Sequence, residues 1–293
     1  MKNHIVRLIV VIIVLMPVLL FGQEKKGSWE PSVYSGSGYM SDNSGDGIYT
    51  YAQLGAMNKV KNHRAGVFVS FVWVDVNFNN YTYQAKEWAA GFSYDTWGKV
   101  SETRSASFWI SPSLKIFNDY GLDHASGTEA WQNDYGCHIS TGANLNDKRN
   151  RWFGSYKLAA QFQTPFWSKR TGTWIDDGGY LSDRVNFKAV NKTYFKTQFE
   201  STAKKIILPK LQLEPKLVVA YLYDGGSQNS MYEGGTGVAI SFVKGERYFE
   251  VGSIQYRARF GIEMKNRFDL IELNLDFINL GRLIFPDKKS TTK

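Results

Sequence analysis

The sequence predicts an all-β protein, an antiparallel up-and-down transmembrane β-barrel of about 12 strands. Three observations support this prediction. Long segments alternate apolar with polar residues, no apolar stretch after residue 22 is long enough for a transmembrane helix, and aromatic residues make up 15% of the chain. Strands that cross a membrane need about 9–11 alternating residues, and Trp and Tyr concentrate at both membrane interfaces.

The alternation is clearest in two segments near the end of the chain. In the first, one face carries Ile254, Tyr256, Ala258, Phe260 and Ile262, and the other carries Gln255, Arg257, Arg259 and Glu263. In the second, Ile271, Leu273, Leu275 and Phe277 oppose Glu272, Asn274 and Asp276. Successive side chains of a strand point to opposite sides, so period two indicates strands with one apolar face. A secreted β-sandwich is disfavoured, because its strands average about five or six residues and segments of about 10 to 15 recur here.

The ends of the chain predict three regions. Residues 1–22 are expected to be a secretory signal peptide, with a basic start, an apolar run and a cleavage point near Gln23. Residues 23–285 are then the barrel, and residues 286–293 a basic C-terminal tail. The only cysteine, Cys137, excludes an intramolecular disulfide, so hydrogen-bonded strands must provide the stability. The expected location is the bacterial outer membrane, with its lipid as a partner.

Twelve segments fit the alternating pattern and define the predicted strands. They are 29–40, 47–58, 64–78, 81–94, 104–117, 134–146, 151–166, 185–201, 211–224, 232–244, 247–262 and 267–280. The fourth segment changes phase, because Tyr83 fits one register and Trp88 the other. A β-bulge near Lys86 and Glu87 would reconcile the two.

The gaps between the segments predict an orientation. If the mature N-terminus is periplasmic, the odd-numbered gaps face outward, and they include the longest ones, 118–133 and 167–184. The even-numbered gaps include the short turn 245–246. Outer-membrane barrels have short periplasmic turns and longer external loops, so Asp176 should lie outside and Glu246 should face the periplasm.

Charged residues opposite the apolar faces are expected to line the lumen. The basic ones are Lys157, Lys188, Lys192, Lys196, Lys216, Arg257 and Arg259, and the acidic ones are Glu200, Glu214, Glu272 and Asp276. This excess of bases, in a chain of net charge +8, predicts a lumen that attracts anions. Arg257 and Arg259 lie beside two of the acids and should pair with them. The alternative is a narrow bore that such ion pairs brace and fill.

The eighth segment carries a predicted track of cations. Lys188, Lys192 and Lys196 share one face at spacings of four residues, about 13 Å apart along a strand. The sequence places no obvious acidic partner beside them. Such a track favours a path for a chain-like anion or for a succession of small ones.

One motif suggests catalysis. His138 and Ser140 lie on one face of a strand, and Asn150 follows across a turn. The arrangement resembles the His-x-Ser pair and neighbouring Asn of outer-membrane phospholipases, and this resemblance implies a Ser nucleophile that a His activates. A polar pair in the lumen is the favoured interpretation, because both side chains are expected to face inward.

A second motif suggests a metal site. Asp176, Asp177 and Asp183 lie near two glycines in a long gap, and clustered carboxylates can bind Ca²⁺. A solvated loop is the favoured interpretation, so no metal or other cofactor is expected. The sequence contains no Gly-rich phosphate loop and no nucleic-acid motif, so nucleic acid is not an expected partner.

Three stretches of the second half resemble the C-terminal barrel of exopolysaccharide-secretion porins. They are 210–219, the Gly-Gly-Thr-Gly-Val segment 234–238, and 247–250 with an aromatic and an acid at the start of a strand. The resemblance implies an outer-membrane barrel that handles a polysaccharide. The predicted function is therefore a channel or binding protein for a hydrophilic, anionic solute such as a glycan. Two other classes stay open, a lipid-hydrolysing barrel enzyme and a plugged barrel with a structural or surface-contact role.

Overall fold

The computed structural model describes residues 28–41, 45–78, 81–124, 127, 129–150, 152–172, 174–175, 187–188, 193–224, 229–244, 247–261 and 267–284. The first seven strands are β1 (Ser28–Ser41), β2 (Gly45–Val60), β3 (His63–Phe78), β4 (Tyr81–Ser101), β5 (Arg104–Asp123), β6 (Glu129–Asp147) and β7 (Phe153–Gly172). The others are β8 (Trp174–Ile175), β9 (Phe187–Lys188), β10 (Tyr194–Ala203), β11 (Ile206–Ile207), β12 (Leu211–Asp224), β13 (Asn229–Lys244), β14 (Arg247–Gly261) and β15 (Arg267–Asp276). One helix, α1 (Phe277–Ile284), follows β15.

Twelve of these strands close into one antiparallel barrel. Strands β1 to β7, β10 and β12 to β15 pair in chain order, and β15 pairs with β1 to complete the ring. The short β11 pairs with Gln212 and Leu213 of β12, beyond the end of β10, and β8 pairs with β9 in a separate two-stranded sheet. Closure leaves no open sheet edge in the ring, which is the condition for a sheet to stand in a membrane. The predicted up-and-down barrel is confirmed.

The barrel has its apolar face on the outside. On β14 and β15, Ile254 and Ile271 are 50% and 53% exposed, whereas the polar Ser253 and Gln255 are 7% and 8% exposed. A water-soluble sandwich would bury the first pair and expose the second. The inverted arrangement matches a wall that meets hydrocarbon outside and polar groups inside.

Exposed aromatic side chains mark two levels of the outer wall. One level carries Tyr39, Trp88, Tyr135, Trp167, Tyr223 and Tyr232, and the other carries Trp29, Phe108, Trp152, Phe242, Tyr248 and Phe277. On β13, Tyr232 and Phe242 stand ten positions apart. Along a strand tilted by about 40° this spacing is about 25 Å of barrel height, the thickness of an outer-membrane apolar band.

The two ends of the barrel differ. The first strand begins and the last strand ends at one end, here called the terminal end, where β2 and β3 are joined by Lys61-Asn62 and β4 and β5 by residues 102–103. Lys61 has φ 52°, the left-handed conformation that a tight hairpin requires. The opposite end is called the loop end. Strands β4 to β7 have 19 to 21 residues, against 10 to 16 in the other barrel strands, and β7 continues past the start of β10 at the loop end, where Tyr194 lies opposite Gln163.

The last predicted strand, 267–280, ends earlier than expected. It stops at Asp276, whose carboxylate accepts a hydrogen bond from the Asn279 N–H at 2.9 Å and so caps α1. The helix packs on β1 and β14 at the terminal end. Among the described residues, no helix is long and apolar enough to cross a membrane.

The predicted bulge near Lys86 and Glu87 is wrong. Both ladders of β4 run through these residues without a shift, and the irregularity on β4 lies between Lys99 and Ser101. The apolar pattern changes because Trp88 lies at the aromatic level nearer the loop end. The residues of β4 from Tyr81 to Trp88 extend past this level towards the loop end. Past that level the outer face no longer needs apolar residues, and Tyr83 on the inner face donates a hydrogen bond to Asp119 at 2.6 Å.

The orientation can be tested at the two ends of the barrel. Short turns and both termini are periplasmic in outer-membrane barrels, so we expect the terminal end to face the periplasm. In a Cys137→Ala background, Lys169→Cys on β7 should react with an impermeant thiol reagent on whole cells. Glu102→Cys should react only after the outer membrane is permeabilised. The opposite labelling pattern would mean that the barrel has the opposite orientation. The positions first predicted for this purpose, Asp176 and Glu246, lie outside the described residues.

Candidate functional site

A cavity of about 1220 Å³ occupies the lumen at the terminal end of the barrel. Its wall is made by the inward faces of β1 to β7, by Asp276 at the end of β15 and by two residues of α1. We call it the lumen cavity. Its polar lining includes Gln53, Ser93, Ser105, Ser107, Ser111, Asn144 and Asn146, and its aromatic lining includes Tyr34, Phe68, Trp97 and Trp109.

Two of the aromatic rings lie against glycines of the neighbouring strand. Trp109 on β5 stands directly opposite Gly142 on β6, and a methyl group added at Gly142 would lie 2.9 Å from carbons of the Trp109 ring. Phe68 on β3 stands opposite Gly91 on β4, where an added methyl group would lie 2.7 Å from its Cζ. Because the two glycines have no side chain, each ring can lie over the backbone of the neighbouring strand. Since both residues also line the lumen cavity, their other faces are turned towards it.

Two lysines lie over the tryptophans of the cavity. The Lys157 Nζ is 5.8 Å from the centroid of the Trp109 ring, and the Lys59 Nζ is 5.3 Å from the centroid of the Trp97 ring. Both distances are within the range of a cation–π interaction. The attraction between each ammonium group and the ring below it helps to hold the ring in position.

The charges lining the lumen cavity are balanced. Three residues are basic and three are acidic, namely Arg64, Lys99, Lys157, Glu30, Asp95 and Asp276. Arg64 and Asp95 form an ion pair at 2.6 Å, and Asp276 is engaged at the cap of α1. The cavity therefore offers hydroxyl, amide and aromatic groups without a strong excess of either charge.

A second group of charges lies on the inner wall outside this cavity. The Glu233 carboxylate on β13 is 3.0 Å from the Lys196 Nζ and from an Arg257 nitrogen, and 3.2 Å from an Arg259 nitrogen. These four residues are called the Glu233 cluster. The Glu233 side chain is 1% exposed and that of Lys196 is 12% exposed, so three cations share one buried carboxylate.

The predicted partners of the two arginines are wrong. The register of β14 places Gln255 opposite Glu272, and it places Arg259 opposite Glu233 on the other side. Gly235 stands opposite Arg257, and its lack of a side chain leaves room for the guanidinium to reach Glu233. Glu272 instead accepts hydrogen bonds from Tyr49 and, at 2.6 Å, from Asn274.

The predicted lysine track is not a feature of one strand. Lys188 belongs to β9, which pairs with β8 and is not part of the barrel sheet, and β10 begins at Tyr194. Lys192 lies outside the described residues. Lys196 does face the lumen, but it pairs with Glu233, contrary to the expectation that it has no acidic partner.

The other predicted lumen residues do face inward. Lys216 pairs with Glu200 at 3.8 Å, and Glu214 accepts from Lys205 at 2.9 Å. Lys157 lines the lumen cavity. The predicted excess of bases came from five strands only, and the described structure adds inward acids on the others, among them Glu233, Glu87 and Asp95.

The residues of the catalytic motif are not brought together. Ser140 is buried on the inner face of β6 two positions from His138. Asn150 lies beyond the end of β6, where it accepts hydrogen bonds from the Trp152 and Phe153 N–H groups and stabilises the turn. Seven residues of extended strand separate Ser140 from Asp147, about 23 Å, so Asn150 cannot orient His138.

The predicted metal ligands cannot be placed. Asp176, Asp177 and Asp183 lie outside the described residues. Within the described part of the chain, no group of three or more His, Cys, Asp or Glu side chains could hold a metal ion.

Sequence reasoning missed the residues that shape the lumen cavity and the Glu233 cluster. Trp109 follows Phe108, which faces outward, so period two already placed it on the inner face. Period two places Glu233 on the inner face in the same way, because the residue before it, Tyr232, is exposed on the outer wall. Which inward residues meet depends on the register between strands, which the pattern within one strand does not contain.

Comparisons with known proteins give a fold and no closer relationship. No model of a known protein family matches the chain, and no protein of curated function matches it. Among solved structures, the chain is similar to the translocator domain of the autotransporter NalP from Neisseria meningitidis, with a TM-score of 0.54 and 9% identity, over 90% of this chain and 92% of that one. It is also similar to the β domain of the Bordetella autotransporter Brka, with a TM-score of 0.50 and 10% identity, over 85% of this chain and 98% of that one.

At such identities the similarity concerns the fold alone. It agrees with the closed barrel, the apolar outer wall and the two aromatic levels. The protein is an outer-membrane β-barrel, as the sequence predicted, and its location is the bacterial outer membrane.

Proposed function

We propose that the barrel binds a hydrophilic solute of the glycan class in the lumen cavity and acts as its channel or binding protein in the outer membrane. The observation that carries the proposal is the pairing of flat aromatic rings with hydroxyl and amide groups on one concave wall. Phe68 and Trp109 supply the rings, and serine, asparagine and glutamine side chains surround them.

The chemistry of a sugar ring complements this wall. A pyranose has an apolar C–H face and a rim of hydroxyl groups. An aromatic ring held against the barrel wall offers a rigid apolar surface at low entropic cost, and nearby polar groups can fix the orientation of a ligand. Asn144 already donates a hydrogen bond to Ser107 at 3.0 Å, so the polar groups are themselves held in place.

The balanced charges favour a neutral or weakly charged glycan over a simple anion. The prediction of an anionic solute depends on an excess of basic over acidic residues in the lumen. The lining of the lumen cavity has no such excess. The resemblance of residues 210–219, 234–238 and 247–250 to polysaccharide-secretion barrels supports the same class of solute.

Binding can be tested with a pair of adjacent substitutions. Trp109→Ala removes a ring that faces the lumen cavity, and the control Phe108→Ala removes a ring that faces the membrane. For the folded barrel in detergent, we expect a neutral oligosaccharide to bind about 2- to 10-fold more weakly to Trp109→Ala, because a stacked ring contributes about 0.5–1.5 kcal/mol. The affinity of Phe108→Ala should match that of the wild type. Calorimetric titration with neutral and with uronic-acid oligosaccharides measures both the affinity and the charge preference.

Two outcomes would contradict the proposal. If neither class of oligosaccharide binds the wild-type barrel, the glycan assignment fails. If single-channel recording in lipid bilayers also finds no conductance, the plugged barrel with a structural role is the better description.

A further inference from the structure

We propose that α1 is a lid on the periplasmic mouth of the lumen cavity, held shut by Asn279 and weak enough to open. This inference concerns access to the cavity and does not depend on which solute the cavity takes. It rests on where the helix lies, on what fastens it and on its low intrinsic stability.

The helix forms part of the cavity wall. Ile278 and Asn279 line the lumen cavity together with residues near the terminal end such as Glu30 and Lys99. The helix also packs on β1 and β14, the two strands that flank β15. The first turn of α1, directly after Asp276, therefore lies against the lumen cavity at the terminal end of the barrel.

One side chain fastens the helix to the barrel. The Asn279 Nδ2 donates to the Asp276 carboxylate at 3.0 Å and to the Glu250 backbone carbonyl at 3.0 Å. The second of these bonds joins α1 to β14, across the strand from which the helix emerges. Loss of the Asn279 side chain would remove both of these bonds, while the bond from the Asn279 N–H to the Asp276 carboxylate would remain.

The helix is too short to be stable without the barrel. It has eight residues, and isolated helices shorter than about 12–15 residues are marginal in water. Gly281 in its middle lowers helix stability further, and a methyl group added there would meet no atom within 4 Å. The closed position thus depends on docking, and small changes in docking or in helix propensity should shift the balance between closed and open.

The test uses one substitution that is expected to favour the open lid and one that is expected to favour the closed lid. In a Cys137→Ala background, Ser93→Cys places a thiol in the lumen cavity, and its reaction rate with a bulky impermeant maleimide is measured on the folded barrel in detergent. Asn279→Ala should raise this rate about fivefold or more, because two hydrogen bonds that hold the lid are lost. Gly281→Ala should lower it about threefold, because the added methyl group stabilises the helix where space is available.

A thiol outside the cavity provides the control. Glu102→Cys lies in an exposed turn at the same end, and its reaction rate should be the same in all three backgrounds. If the rate at position 93 is unaffected by both substitutions, the reagent enters another way and the lid is disproved. If the rate at position 102 changes in parallel, the barrel end has loosened as a whole and the lid is likewise disproved. Oligosaccharide titration of the same variants tests the proposed function separately, since a lid can exist over a cavity that binds no glycan.

Discussion

Glu233→Ala is expected to lower the free energy of unfolding by about 3–5 kcal/mol, among the largest effects of a single change in this chain. The substitution removes the carboxylate that Lys196, Arg257 and Arg259 share. Cations on a wall of low dielectric repel one another and lose solvation, and the lost carboxylate is what offsets both costs. The effect is measured by urea unfolding of the barrel in lipid vesicles.

Two further variants define the origin of this effect. Glu233→Gln keeps the shape and one acceptor oxygen but removes the charge, so it should show most of the loss. Glu102→Ala removes a carboxylate from an exposed turn and should change the stability by less than about 0.5 kcal/mol. A loss below about 1 kcal/mol for Glu233→Ala would mean that water reaches the cluster and that the bore is open at this level.

Leu273→Arg should impair insertion and assembly. Leu273 faces outward on β15, opposite Ile254 on β14 and between the two aromatic levels. An arginine near the bilayer midplane on the lipid face costs about 2–4 kcal/mol. We expect less folded barrel in the outer membrane, measured as the fraction of protein that migrates faster in unheated detergent gels.

The matched control places the same side chain on the inner face. Gln53 on β2 lines the lumen cavity, which has room for the longer polar side chain of an arginine, so Gln53→Arg should assemble normally. Asn274 would be a poor control, because its amide donates to Glu272 and to Ser253 and accepts from Tyr51. Equal impairment by Leu273→Arg and Gln53→Arg would contradict the assignment of the two faces, and impairment by Gln53→Arg alone would mean that the inner and outer faces have been exchanged.

The membrane is the reason why the sequence predicts so much of this fold. Hydrocarbon requires an apolar residue at nearly every second position over the whole span, so strands such as β12, at 211–224, are recognised with their exact bounds. The same requirement sets which side chains face inward. The requirement for apolar residues ends at the aromatic level nearer the loop end. Past that level the prediction failed, in the part of β4 that precedes Trp88.

The partners of the inward residues follow from a different property, the register. A period-two pattern places Arg259 inside but does not say that Glu233 will be opposite. The lumen cavity is harder still to predict, since it exists only where several strands present small residues such as Ser93 and Ser107 at one height. For α1 a local signal was present. Phe277-Ile278 breaks the alternation, and Asp276 followed by Asn279 is the pattern of a helix cap.

Among the described residues, the barrel strands end at different heights at the loop end. On β5 seven residues continue beyond Ile116, whereas β12 has one residue beyond Tyr223. With tilted strands this difference raises the side made by β4 to β7 by roughly 10–15 Å. Among the described residues, those near the loop ends of β4 to β7 are therefore the first that a particle approaching from this end would meet. The exposed Lys169 on β7 is one of them, so a change there would be encountered before any residue of the lumen cavity.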